Sequence, residues 1–178
     1  MRVDLTRPEG KAAIVVSPDA AFMSAGMGTQ ALSLAEKNAW LDHLHRSFTY
    51  IGQHLEDPSI TFTAGGTEKI ADVQAAVLEI DGAVPSVRWY VDPQSSRVLR
   101  ENFKTVSESG TFNTDVKLSD WRTVDGLVLP FAIKSKTNRQ TTTSECKQIQ
   151  IYPEIDAKIF EKPANKAKKA KKAAAPSR

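Results

Sequence analysis

The sequence predicts an α+β protein that is mainly β: an antiparallel, incomplete β-barrel, or half-barrel, covered by one or two helices. Three observations carry this. From Ile60 to Tyr152 short β-branched and aromatic runs are divided by turn residues. Between Thr29 and Leu55 the apolar spacing switches to a helical period. The large aromatics fall one or two to a strand, as a curved sheet with an apolar concave face requires.

Residues 11–17, Lys-Ala-Ala-Ile-Val-Val-Ser, form the first clear strand, and the Pro8-Glu9-Gly10 turn pairs it in a hairpin with Val3 and Leu5. Pro18-Asp19 opens a turn, and Gly26-Met27-Gly28 is a loop. Leu34, Leu41, Leu44, Phe48, Ile51 and Leu55 then recur at spacings of seven, three, four, three and four, one face of a helix. Ser33 followed three residues later by Glu36 fits a capping box. The poor helix formers Phe48-Thr49-Tyr50-Ile51-Gly52 place a break within residues 47–52, and Pro58 ends the helical region.

Strands follow at residues 60–63, 73–80, 87–91, 98–106, 111–122, 127–136 and 143–152. Their turns are Ala64-Gly65-Gly66, Asp81-Gly82, Asp92-Pro93-Gln94-Ser95, Glu108-Ser109-Gly110, Asp125-Gly126 and Asn138-Arg139. Turns this short join antiparallel neighbours. Phe112, Thr114, Val116 and Leu118 alternate with Asn113, Asp115 and Lys117, so one face is apolar and the other wet. Pro130 removes a ladder hydrogen bond and requires its strand to be at an edge, bulged or kinked there. Residues 156–160 form a last helical turn before Pro163.

At 178 residues, 40% hydrophobic and 25% charged, the chain has the make-up of a globular protein with length for one domain, residues 1–163. The pI of about 9.0 is misleading. Residues 162–178 hold six Lys, one Arg and no acid, whereas residues 1–161 carry 17 positive against 21 negative charges, a net of −4. The body is mildly acidic. The Lys/Ala tail, residues 164–178, cannot build a core and is expected to be disordered. It offers contact with an anionic surface, but it lacks the interleaved aromatics that stack on bases, so no specific nucleic acid is implied.

Catalytic chemistry finds no constellation. His43 and His45 stand two apart on a helix and point in nearly opposite directions, which disfavours a shared metal. No His follows His54 to serve the serines as a base, no Gly-x-Ser-x-Gly elbow occurs, and Cys146 is flanked by polar strand residues. Asp115 and Asp120 read as solvated strand charges rather than a carboxylate pair. Gly26-Met27-Gly28 lacks the lysine of a phosphate loop. The reading is therefore non-enzymatic, with no cofactor or metal. No run of 18 apolar residues occurs, and residues 1–8 have no apolar run behind their basic residues, so neither a membrane span nor an export signal is expected in this stretch.

Four phrases occur in a characteristic order. They are residues 66–80, Gly-Thr-Glu-Lys-Ile-Ala-Asp-Val-Gln-Ala-Ala-Val-Leu-Glu-Ile; Arg88-Trp89-Tyr90-Val91-Asp92-Pro93 with Leu99-Arg100-Glu101; residues 119–130, Ser-Asp-Trp-Arg-Thr-Val-Asp-Gly-Leu-Val-Leu-Pro; and residues 155–163, Ile-Asp-Ala-Lys-Ile-Phe-Glu-Lys-Pro. In order and spacing the chain resembles the outer-membrane lipoprotein sorting protein family, the LolA-like periplasmic lipoprotein carriers, some of whose relatives accompany insulinase-type zinc peptidases. The resemblance implies a half-barrel whose apolar cavity receives a lipid or lipoprotein acyl chain, in the periplasm, with no catalysis. Asp72 stands where relatives often have glycine, and the family's export signal and one or two of its first elements have no counterpart here. On this reading the cavity wall is drawn from Trp89, Phe103, Phe112, Trp121 and Phe131. The alternative is a non-binding accessory domain, plugged by its helices and acting beside an envelope peptidase.

Overall fold

The computed structural model describes all residues except 8, 9, 18, 27, 108, 109, 139, 152, 153 and 164–178. The expected disorder of the Lys/Ala tail lies outside the described residues. By contacts the chain divides into two compact units, Met1–Trp40 with the segment from Glu154, and Leu41–Pro153.

In the first unit four strands, β1 (Arg2–Arg7), β2 (Gly10–Val16), β3 (Ala21–Ala25) and β4 (Gly28–Ala31), form an antiparallel meander in chain order. The expected hairpin is present, with Val3 opposite Ile14 and Leu5 opposite Ala12. Ile14, Val15, Val16 and Phe22 are buried. Residues 29–31, placed in the helical region by sequence, pair instead with β3. The terminal ammonium of Met1 donates to the Val16 carbonyl at 2.7 Å, and Arg2 Nη1 donates to the Ile159 carbonyl at 2.5 Å. Ile159 belongs to a 3-10 turn, Ala157–Phe160, capped by the Asp156 side chain, which accepts from the Lys158 amide.

Helix α1 (Leu34–His45) starts with the predicted capping box. The Ser33 amide donates to Glu36 Oε2 at 2.8 Å, and the Glu36 amide donates to Ser33 Oγ at 3.2 Å. The break falls at Arg46-Ser47, where Ser47 caps α2 (Phe48–Gln53) by accepting from the Tyr50 amide. The single apolar face predicted across this region does not survive the break. Leu34 is 74% and Leu55 60% exposed, whereas Ile51 is fully buried.

The second unit is built on β5 (Ile60–Ile70), β6 (Val73–Gly82), β7 (Val87–Val91), β8 (Val98–Ser107), β9 (Gly110–Val124), β10 (Leu127–Thr137) and β11 (Gln140–Glu145). These seven strands are antiparallel and ordered in sequence, with β5 and β11 as unpaired ends, so the sheet does not close into a barrel. The fold is thus mainly β with an open antiparallel sheet and two helices, as predicted.

Two details differ from the expectations, and a third, at Pro130, meets the requirement of a local edge. Gly65-Gly66 does not end a strand but forms a register shift inside β5, between Ala64 and Thr67. The last strand occupies 140–145 rather than 143–152. Pro130 lies in a strand that is central over part of its length, and it is tolerated because β11 pairs only from Ala132 onward. The nearby Phe131 carbonyl accepts from the Cys146 amide at 2.7 Å.

Asp125-Gly126 turns with φ of 47° and 84°, the double positive that suits a two-residue hairpin turn. At Gly82, with φ 101°, a Cβ would lie 2.1 Å from the Ser59 carbonyl oxygen, so only glycine fits.

Candidate functional site

Alternation along each strand gives the seven-stranded sheet two unlike faces. On the inner one Ile80 faces Val87, Leu78 faces Trp89, Val87 faces Phe103, and Glu101 faces Val116, in direct cross-strand pairs. Helix α2 lies on this face. Ile51 joins Ile60, Ile80, Val84, Val87, Trp89, Val98, Val116 and Leu118 in one buried cluster, with Phe48, Tyr50, Phe103 and Trp121 partly buried around it. The Phe48 and Trp121 rings approach to 6.4 Å.

Three of the aromatics singled out by sequence, Trp89, Phe103 and Trp121, therefore meet around one cluster. Phe112 is half-buried farther along β9, opposite Thr105. Between it and the cluster runs a polar rung in which the buried Thr114 hydroxyl meets those of Thr105 at 3.0 Å and Thr137 at 3.1 Å. Phe131 is buried outside the cluster, with the Arg122 guanidinium 4.4 Å above its ring.

The inner face also holds charge that the sequence did not disclose. Arg46, just past α1, is 7% exposed. Its guanidinium lies 4.3 Å over the Phe103 ring and 4.0 Å from the Asp42 carboxylate. Glu101, which shares the inner face of β8 with Phe103, has its carboxyl pushed up to about 7 by burial, against the opposing pull of Arg46 and of the Trp89 indole N–H. That indole exerts its pull as a dipole, because Nε1 makes no hydrogen bond within ordinary limits. Burial, with the Arg46 charge added, also holds His43 below its usual range. Sequence alternation could have found Glu101, since it stands two residues before Phe103 on the same face; Arg46 gave no such signal.

Among the described residues Arg46 Nε, Trp89 Nε1 and Trp121 Nε1 are buried donors without an acceptor. Buried polar groups are nearly always paired, so three such donors on one face mark it as chemically incomplete. A cleft of about 530 Å³, lined by Asp42, Arg46, Pro85, Val87 and Phe103 among others, opens beside the cluster at the start of β7. No group of His, Cys, Asp and Glu suited to a metal occurs among the described residues. The Cys146 thiol donates to the Gln148 carbonyl at 3.2 Å.

No family model matches the chain, and no curated protein matches it. Among solved structures it is similar to the crystal structure of a LolA superfamily protein from Nitrosomonas europaea. Identity is 15%, the match covers 85% of this chain and 76% of that one, and the TM-score is 0.49.

Proposed function

We propose that residues 41–153 bind an apolar ligand, a lipid or lipoprotein acyl chain, on the inner face of the open sheet beneath α2, in a carrier-type and non-catalytic role. The observation that carries this reading is the set of buried donors without acceptors, Arg46 Nε, Trp89 Nε1 and Trp121 Nε1, set among apolar side chains. An acyl chain whose ester or carboxyl oxygen accepts from one of them would satisfy both kinds of surface, since each buried methylene contributes about 0.8 kcal/mol. The lid is slight: α2 has six residues, and Ile51 is its one fully buried side chain. Trp89, Phe103 and Trp121 form the wall, and Phe112 and Phe131 stand outside it. The cell envelope as compartment rests on the resemblance of the sequence phrases alone, and contact of the Lys-rich tail with an anionic surface rests on its run of cations.

Titrating the protein with palmitate or a diacylated lipopeptide while following tryptophan fluorescence tests this. A saturable change at micromolar ligand, reduced in Trp121→Phe, is expected; folded protein giving no saturable response would sink the proposal. A second reading is favoured by the complete burial of Ile51 against Ile60 and Ile80, as in an accessory domain permanently plugged by its helix. In that case Ile51→Ala, which loosens the plug, changes stability without creating or strengthening any response to palmitate.

A further inference from the structure

The outer face of the same sheet carries a different site. At the Gly65-Gly66 register shift the backbone of Gly66 has φ 87°, and a Cβ on Gly65 would lie 2.8 Å from Val77 Cγ1. Two glycines thus let the β5–β6 hairpin bend at this point. Beyond the bend a small second core gathers Ala75, Val77 and Tyr90, with Ile70 against it. Glu68 on β5 reaches Arg100 on β8 at 3.1 Å, although β6 and β7 lie between them in the sheet. The hairpin tip therefore folds back over the outer face. Between the tip and β8–β10 lies a cleft of about 620 Å³, whose lining includes Lys69, Arg100, Lys117 and Lys136 with Asn102 and Asn113.

The charge arrangement there costs stability. Lys117 stands directly opposite Arg100 on one side and Lys134 on the other, a rung of three cations across three strands. Like charges in direct cross-strand register repel. The acids in reach, Asp115 and Glu68, both pair with Arg100, whose guanidinium lies 4.8 Å over the Tyr90 ring and is fixed in place. Lys69, Lys117 and Lys136 make no ion pair or hydrogen bond among the described residues. In a body whose net charge is −4, three unpaired lysines around one polar hollow stand out.

We infer that this cleft binds a phosphate group. A phosphate carries the multiple charge needed to offset several ammonium groups at once. Its tetrahedral oxygens suit point-like lysine donors, a pre-oriented guanidinium and asparagine amides. A single carboxylate would leave most of the repulsion in place. Nucleic acid is disfavoured because the one aromatic here, Tyr90, is buried beneath Arg100 and offers no stacking face. The site lies back to back with the apolar face, on alternate residues of β8, so either one can fail without the other.

The test compares the full chain with Lys117→Gln/Lys136→Gln and with a control, Lys11→Gln, in two assays. One is a calorimetric titration with pyrophosphate; the other is sedimentation with phosphatidylcholine vesicles containing phosphatidylglycerol. All three proteins keep the Lys-rich tail, so differences between them report on the cleft. Pyrophosphate binding that weakens about tenfold or more in the double variant and not in the control supports a soluble phosphate ligand. Weak pyrophosphate binding throughout, with vesicle binding weakened in the double variant alone, supports a lipid headgroup as the source of the phosphate. Equal behaviour of parent and double variant in both assays overturns the proposal. Lys117→Gln removes a like charge from the ladder, whereas Lys136 stands opposite Asp115, so the melting temperature of the double variant is measured beside both assays and should match the parent's.

Discussion

At the scale of single residues, Glu101 is the most informative side chain. Its carboxyl titrates at about 7 because burial disfavours the charged form more than Arg46 favours it. An unfolded glutamate titrates near 4.3. A raised acid binds its proton more tightly in the folded state. Its contribution is therefore favourable below the unfolded value and is progressively lost as pH rises to about 7. His43, held low by burial, acts in the opposite sense, losing stability as pH falls below its unfolded value. Glu101→Gln isolates the first effect: it should equal the parent near pH 4 and exceed it at pH 8 by about 3–4 kcal/mol in urea unfolding. A difference independent of pH would show that Glu101 is not the group responsible. Sequence alternation placed Trp89, Phe103 and Trp121 in strands, which is why their meeting was legible. Arg46 was not, since a cation at the end of a helix ordinarily points to water, and only its position over Phe103 shows otherwise.

At the scale of elements, strands bounded by turn chemistry were read nearly to the residue, as at 87–91, because Pro, Gly and Asp positions dictate where the backbone reverses. What escaped was tertiary. Gly65-Gly66 has the composition of a turn, and only the pairing of Thr67 with Ala76 beyond it shows a bulged, continuous strand. The helical period at Leu34 and Leu55 promised burial that α1 and α2, broken at Ser47, do not deliver. Two glycine substitutions separate these cases. Gly65→Ala pushes a methyl into Val77 and should cost about 1–3 kcal/mol, as overpacking does. Gly52→Ala, in α2 with no atom within 4 Å of the added carbon, should gain about 0.5–1 kcal/mol by restricting the unfolded chain. Chemical denaturation of both variants gives the two signs, and a shared sign contradicts the bulge geometry.

At the scale of the whole molecule, an open sheet has two raw edges, and they are treated differently. The β5 edge carries a bulge together with Glu68 and Lys69, devices that hinder strand addition. The β11 edge, Gln-Thr-Thr-Thr-Ser-Glu, is exposed at all six residues, rich in β-branched side chains, and carries only Glu145 as a charge. Unpaired amides and carbonyls along such a strand form a template for a further strand, so concentration-dependent self-association should begin there rather than at β5. Thr142→Lys places a charge in the middle of β11, opposite Ser135, without touching the buried cluster. The variant should match the parent in unfolding free energy to within about 0.5 kcal/mol, as surface changes do. Light scattering at rising protein concentration should meanwhile fall severalfold. If Thr142→Lys scatters as the parent does while a lysine at Thr63 on β5 suppresses scattering, the reactive edge is the other one.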